Sequence, residues 1–246
     1  MTNNYLSILS LNVSSLISLH RRVEMEHLLS INKTDIALLQ ETHLQNKHTF
    51  QTTNYTTHRN DNNQGVAILI KNNIEHTRIF IPNLNVPYIC IEIPLKRNTH
   101  LQNLLIMSIY LPSNISSSCF LSNFNTIATF SEQYSGAILG GDLNAKNVLW
   151  GDNRNNSNGT QLSNWILNST SNFSRISSNL PTYPNGNSFL DHFIISSHLI
   201  NTFNPNFKIQ TKPSFADHYA LVLSISLRSI GEFQKGRTLA QLSTAN

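Results

Sequence analysis

The stretch Ala137-Ile138-Leu139-Gly140-Gly141-Asp142-Leu143-Asn144 narrows the choice of fold more than any other in the chain. An apolar run of strand length ends in two glycines, a carboxylate and an amide. It reads as a buried strand whose C-terminal end delivers Asp142 and Asn144 to a cleft, where α/β sheets place their ligands. Taken alone, Gly-Gly-Asp-x-Asn could equally be a turn with Asx hydrogen bonding. Chemistry becomes the stronger reading because four other strand ends also finish in acidic, amide or imidazole groups.

Those ends appear in chain order. Tyr5, Ile8 or Leu9, and Leu11 predict a first strand that stops at Asn12, followed by a helix with Leu16, Leu19, Val23 and Leu28 on one side. Residues 34–40 repeat the design, with Glu41 at the exit. Alone, Glu41 would be a helix or turn residue; one strand after Asn12, it reads as a metal ligand with its supporting amide. A polar loop around Asn60-Asp61-Asn62-Asn63 precedes strands at 65–70, 74–81, 88–95 and 101–111. The last leaves its sheet at Tyr110, whose plain alternative is a packed tyrosine with its hydroxyl satisfied. Helices follow at 117–134, with Phe120, Phe124 and Ile127 or Ala128 on one face, and at 159–168, burying Leu162, Trp165 and Ile166. Trp150 is assigned to packing. Residues 182–188 form a tight turn, and the strand 189–195 embeds Asp191, a charge that needs a partner. Asp217-His218, at the mouth of a strand over 219–227, offers the imidazole that Asp191 would orient.

Composition sets only broad limits. With 246 residues and 39% hydrophobic content, one large domain is expected over 1–228, with 229–246 a polar tail or the start of a linker. The net charge of +4, from 17 basic and 13 acidic residues, suits a polyanionic partner without deciding anything. Cys90 and Cys119 lie among apolar neighbours as small buried thiols, so an intracellular, reducing setting is the expectation. No signal peptide or membrane span is predicted.

Together, Asn12, Glu41, Tyr110, Asp142, Asn144, Asp191, Asp217 and His218 supply oxygen ligands for a hard cation, an Asp/Asn pair able to hold a water, and a histidine with carboxylate support. Such a set suits Mg²⁺ or Mn²⁺ and a substrate phosphate. Phosphodiester hydrolysis is the chemistry expected. There is no Gly-x-x-x-x-Gly-Lys loop and no Gly-x-Ser-x-Gly elbow.

Leu11-Asn12-Val13, Leu39-Gln40-Glu41-Thr42, Gly65-Val66-Ala67-Ile68, Tyr110-Leu111-Pro112, Gly141-Asp142-Leu143-Asn144, Leu190-Asp191-His192-Phe193 and Asp217-His218 resemble, in order, the endonuclease/exonuclease/phosphatase superfamily. Asn144-Ala145-Lys146, Leu149-Trp150-Gly151, Thr182 and Ser188-Phe189-Leu190-Asp191 are similar to the apurinic-type endonuclease domain of insect non-LTR retrotransposons of the jockey and R1 kind. The resemblance implies a four-layer α/β/β/α sandwich of two facing sheets. It makes Glu41 the metal ligand with Asn12 behind it and Asp217 beside it. Asp142 and Asn144 would position and deprotonate water, Tyr110 and His218 would hold the phosphate, and Asp191 would orient His218. Thr182, Ser188, Lys146 and Asn147 become candidate DNA contacts. The implied partners are double-stranded DNA and a reverse transcriptase domain or element RNA outside this chain, with action in the nucleus. The alternatives are a degenerate copy that keeps the fold as a DNA-binding or inert domain, and an abasic-site repair endonuclease. Departures from the superfamily's pattern are Ser14 for Asp, Gln64 for Gly, Asn147 for His and Ala216 for Ser.

Overall fold

The computed structural model describes residues 5–97, 100–168, 172–176, 180–203, 206–209, 213, 215–226 and 232–233. In chain order the elements are β1 (Tyr5–Asn12), α1 (Leu19–Ile31), β2 (Ile36–Gln40), β3 (Tyr55–Asn60), β4 (Val66–Lys71), β5 (Thr77–Ile79), β6 (Tyr88–Arg97) and β7 (His100–Tyr110). They continue with α2 (Ser117–Ser131), β8 (Gly136–Asp142), α3 (Ser157–Leu167), β9 (Phe173–Ile176), β10 (Asp191–Ser196), α4 (Ser197–Phe203), β11 (Asn206–Ile209), β12 (Leu221–Ser226) and β13 (Glu232–Phe233).

The strands form two facing sheets, ordered β11-β12-β1-β2-β4-β3 and β13-β6-β7-β8-β10-β9, with β5 also pairing to β6. The central strands β2, β4 and β8 are apolar on both faces because both are covered. Ile8, Ile36, Leu38, Ile68, Ile91, Ile106, Ile138, Phe193 and Leu223 fill the gap between the sheets. α1 closes the outside of the first sheet through Met25 and Leu29. α2 and α3 close the second through Phe120, Phe124, Ile127, Leu162 and Trp165. The result is the expected four-layer α/β/β/α sandwich.

Pairing direction decides where the polar strand ends gather. β1 runs parallel to β2, and β7 runs parallel to β8. β10 and β12 are antiparallel to β8 and β1, so they begin where those strands finish. Asn12, Glu41, Tyr110 and Asp142 at strand exits therefore share one edge with Asp191 and His218 at strand entries.

Gly140-Gly141 follows from the same packing. A Cβ on Gly141 would lie 1.8 Å from the Ile109 carbonyl oxygen, and one on Gly140 would strike Leu38 and Phe193. Two corrections to the sequence reading concern elements. In α1, Leu19 and Val23 are 74% and 56% exposed, whereas Met25 and Leu29 are buried. Leu16 is buried from the preceding loop, so carrying its phase into the helix selects the wrong stripe. The polar stretch before Asp61 is no loop but the strand β3, paired with β4 from Tyr55 to Asn60. In the segment beyond 228, Glu232 and Phe233 pair with Lys96 and Leu95; the rest lies outside the described residues. Cys90 is buried and Cys119 partly so, both as thiols. Among the described residues, no helix is long and apolar enough to cross a membrane.

Candidate active site

The polar groups of the shared edge meet across the gap between the sheets. Asn12 Nδ2 donates to Asp142 Oδ2 at 2.9 Å, while Asn12 Oδ1 accepts the Ser14 amide at 3.0 Å. A second bridge lies one layer deeper, where Gln40 Nε2 donates to Ser108 Oγ and Ser108 Oγ donates to the Leu39 carbonyl. The Ser14 hydroxyl donates to Asp217 Oδ1. Ser14, a departure from the superfamily's Asp, thus offers Asp217 a donor where a second carboxylate would repel it.

Within the second sheet the ladder sets Tyr110 beside Asp142 on one side and Asp191 beside it on the other. Asp142 is 2% exposed, and its Oδ1 accepts the Asn144 amide at 2.9 Å. Burial, reinforced by the facing Asp191, raises its pKa to about 7. His218 Nδ1 donates to Asp191 Oδ2 at 2.7 Å, with both residues buried. Burial opposes charge on this imidazole, but Asp191, Asp142 and Asp217 outweigh it and raise its pKa to about 9. The Tyr110 hydroxyl lies close to Glu41, Asp142 and Asn144. Burial, then the charges of Glu41 and Asp142, push its pKa upward, so it stays protonated.

Glu41 and Asn144 are held in left-handed backbone, with φ of 52° and 48°. Asparagine tolerates that region better than glutamate, so Glu41 is the more strained, and the Ser15 amide bonded to its carbonyl at 2.8 Å helps to hold it. Asn144 Nδ2 donates to the Leu111 carbonyl at 2.9 Å, which holds the amide group in place.

The donor set fits a hard divalent cation. Asp191 Oδ1 is buried with no hydrogen-bond partner, an orphaned oxygen that a cation would satisfy. The carboxylate oxygens of Asp142 and Asp191 lie within 4.8 Å of each other, with the charged His218 imidazole beside them as a donor rather than a ligand. Around them Glu41, Asp217 and the Asn12 side-chain carbonyl add oxygen donors, the preference of Mg²⁺ and Mn²⁺.

The structure thus brings together Asn12, Glu41, Tyr110, Asp142, Asn144, Asp191, Asp217 and His218. Three candidate DNA contacts do not face solvent. Thr182 is fully buried, its hydroxyl oxygen accepting the Leu190 and Asp191 amides at 3.0 and 3.1 Å. Ser188 is buried and donates to the Gly186 carbonyl. Asn147 is buried, caps the 3-10 turn Val148–Trp150 and donates to the Gly159 carbonyl. Small polar residues in a turn look alike whether they meet water or the backbone. Lys146 alone of the four keeps part of its side chain exposed.

Two groups have no role assigned from the sequence. The Tyr183 ring packs 4.9 Å from the His218 ring. His192, one residue past Asp191, is buried, with Nδ1 accepting from Arg175 Nε and Nε2 against the Ala145 carbonyl. Burial, then the Arg175 charge, drives its pKa well below the usual value, so it is neutral and structural. Trp150 packs as expected, edge-on to His192 and under the Arg175 guanidinium.

Residues 104–222 match the model of a family described as endonuclease-reverse transcriptase. No curated protein matches the sequence. Among solved structures, the endonuclease domain of TRAS1, a telomere-specific non-LTR retrotransposon, superposes with a TM-score of 0.70 at 18% identity, covering 91% of this chain and 99% of that one. The AP endonuclease LMAP from Leishmania major gives 0.73 at 12% identity over 92% and 89%. The APE2 catalytic domain of Xenopus laevis gives 0.69 at 12% over 95% and 94%. The fold is that of DNase I-like endonucleases.

Proposed function

We propose, on the premise that residues 104–222 carry the endonuclease-reverse transcriptase pattern within a DNase I-like fold, that this protein is a metal-dependent DNA endonuclease. It nicks one strand of duplex DNA by phosphodiester hydrolysis, as needed to prime reverse transcription of a non-LTR retrotransposon. The observation that carries the reading is the pairing at one sheet edge of an amide-held carboxylate, Asn12–Asp142, with a carboxylate-held imidazole, Asp191–His218.

Each residue has a task set by its surroundings. Asp142 and Asn144 orient the attacking water, and Asp142, with its pKa raised to about 7, can take the proton near neutral pH. His218, charged at neutral pH, and the protonated Tyr110 hydroxyl donate to phosphate oxygens as negative charge builds. Asp191 fixes which nitrogen of His218 faces the substrate, because Nδ1 is committed to it. Mg²⁺ or Mn²⁺, held by Glu41 with Asp217 and Asn12 beside it, would supply Lewis-acid stabilisation of the phosphorane charge. The mild positive charge suits a duplex partner. A reverse transcriptase domain or element RNA would act with it at the nuclear target.

Supercoiled plasmid tests this directly. Wild type should yield relaxed circles with Mg²⁺ and none in EDTA, and Glu41→Ala should fold yet leave the plasmid supercoiled. Nicking that persists in EDTA would overturn the metal-dependent reading.

A further inference from the structure

The turn between β9 and β10 is wired to both members of the Asp191–His218 pair. The Thr182 hydroxyl accepts the Asp191 amide, and its carbonyl accepts the Tyr219 amide at 2.7 Å, one residue beyond His218. The turn closes on itself through mutual backbone bonds between Tyr183 and Ser188 and a single turn of 3-10 helix, Pro184–Gly186. The next side chain after Thr182, Tyr183, therefore has little freedom in where its ring goes.

Two surfaces confine that ring. It meets the His218 imidazole, with centroids 4.9 Å apart and planes inclined at 42°. Gly186 also comes close to it, since an added Cβ there would sit 2.8 and 2.9 Å from ring carbons of Tyr183. Glycine is required there by close approach alone. The imidazole is consequently held at Nδ1 by Asp191 and packed against a tilted aromatic ring. A single hydrogen bond leaves a ring able to rock about its own Cβ–Cγ bond; a bulky ring packed against it opposes that rocking.

We propose that Tyr183, packed against His218 and close to Gly186, is a positioning residue that keeps the His218 ring aimed at the scissile phosphate, and that its ring rather than its hydroxyl carries the role. A positioning residue of this kind needs no contact with substrate or metal. It acts by narrowing the orientations of His218, so its loss lowers turnover and leaves DNA binding unchanged. The proposal rests on the endonuclease reading for its functional half, while the contact itself stands on the fold.

The experiment has two arms. In steady-state nicking with Mg²⁺, Tyr183→Phe should retain wild-type kcat, whereas Tyr183→Leu should lose about tenfold in kcat with KM unchanged, the size of one poorly oriented donor. Gly186→Ala, which leaves the tyrosine in place but pushes its ring, should fall in the same direction. It also serves should Tyr183→Leu fail to fold. In the second arm, the His218 ring protons are followed by NMR without DNA or metal. They should carry an aromatic ring-current shift in wild type and Tyr183→Phe, and lose it in Tyr183→Leu. Equal kcat in Tyr183→Leu and wild type, or a His218 spectrum indifferent to Tyr183, would overturn the proposal. A wild type that does not nick but shows the ring-current shift would instead count against the endonuclease reading alone.

Discussion

Asp142 is where the two sheets touch chemically, since its Oδ2 takes the Asn12 amide and its neighbours across the ladder are Tyr110 and Asp191. Asp142→Asn keeps that shape and removes the carboxylate charge. DNA binding, read by gel shift, should survive while nicking falls about 10²-fold or more. Titration offers a second check. In the folded chain His218 ionises near 9 against 6.5 unfolded, so its stabilising contribution is complete below 6.5 and is lost as pH rises through 9. Asp142, near 7 against 3.8, also holds its proton longer when folded, so stability declines with rising pH in its own lower window. In EDTA the melting temperature should therefore fall from pH 6.5 to 9, and Asp191→Asn should flatten that fall; a wild-type curve that rises over the same interval would contradict the ion pair. At this scale the sequence was most readable where a carboxylate ended an apolar run, as at Glu41 and Asp142. It misled at Thr182, Ser188 and Asn147, whose side chains face backbone groups that only the folded turns bring to them. Tyr183 was invisible for the same reason: its partner, His218, is 35 residues away and reaches it only through the fold.

β8 shows how an element can be fixed by what it cannot accommodate. Its last glycine faces the Ile109 carbonyl of β7 so closely that no side chain fits, and the obstacle is backbone, which cannot turn aside. Gly141→Ala should therefore part β7 from β8 at the site, costing on the order of 1–3 kcal/mol or more in urea unfolding. Activity should be lost well below the melting point, because Tyr110 and Asp142 would no longer sit side by side. A variant as stable as wild type would show that the strands can separate at no cost. α2 was legible because Phe120, Phe124 and Ile127 keep helical spacing and all are buried, with the two phenylalanine rings stacked 4.5 Å apart. β3 was not, because it is an edge strand in which all six residues are half-buried and neither face is distinctly apolar. Alternation, the signal for a strand, needs one dry face, and β3 has none.

For the whole molecule, the family match spans Tyr110, Asp142, Asn144, Asp191, Asp217 and His218 but leaves out Asn12 and Glu41, which the fold alone brings to the site. The structural neighbours include a retrotransposon endonuclease and AP endonucleases, so preference for damaged DNA needs its own measurement. The residue ahead of Phe189-Leu190-Asp191 is Ser188, which is buried with its hydroxyl turned to the Gly186 carbonyl. With no ring there to wall off a sugar pocket, matched oligonucleotides with and without an abasic site should be nicked at comparable rates; a preference of several hundredfold for the abasic one would move the protein to repair. The bridges from Asn12 to Asp142 and from Gln40 to Ser108 also mean that neither sheet owns the site. A polypeptide interrupted at the exposed Asn72-Asn73 turn would place Asn12 and Glu41 on one piece and the remaining site residues on the other. Because β12 of the second piece pairs with β1 of the first, the pieces have a ready docking seam. On the proposed function, each piece should be inert alone and nick plasmid only when the two are mixed, an outcome that fragment complementation would read directly.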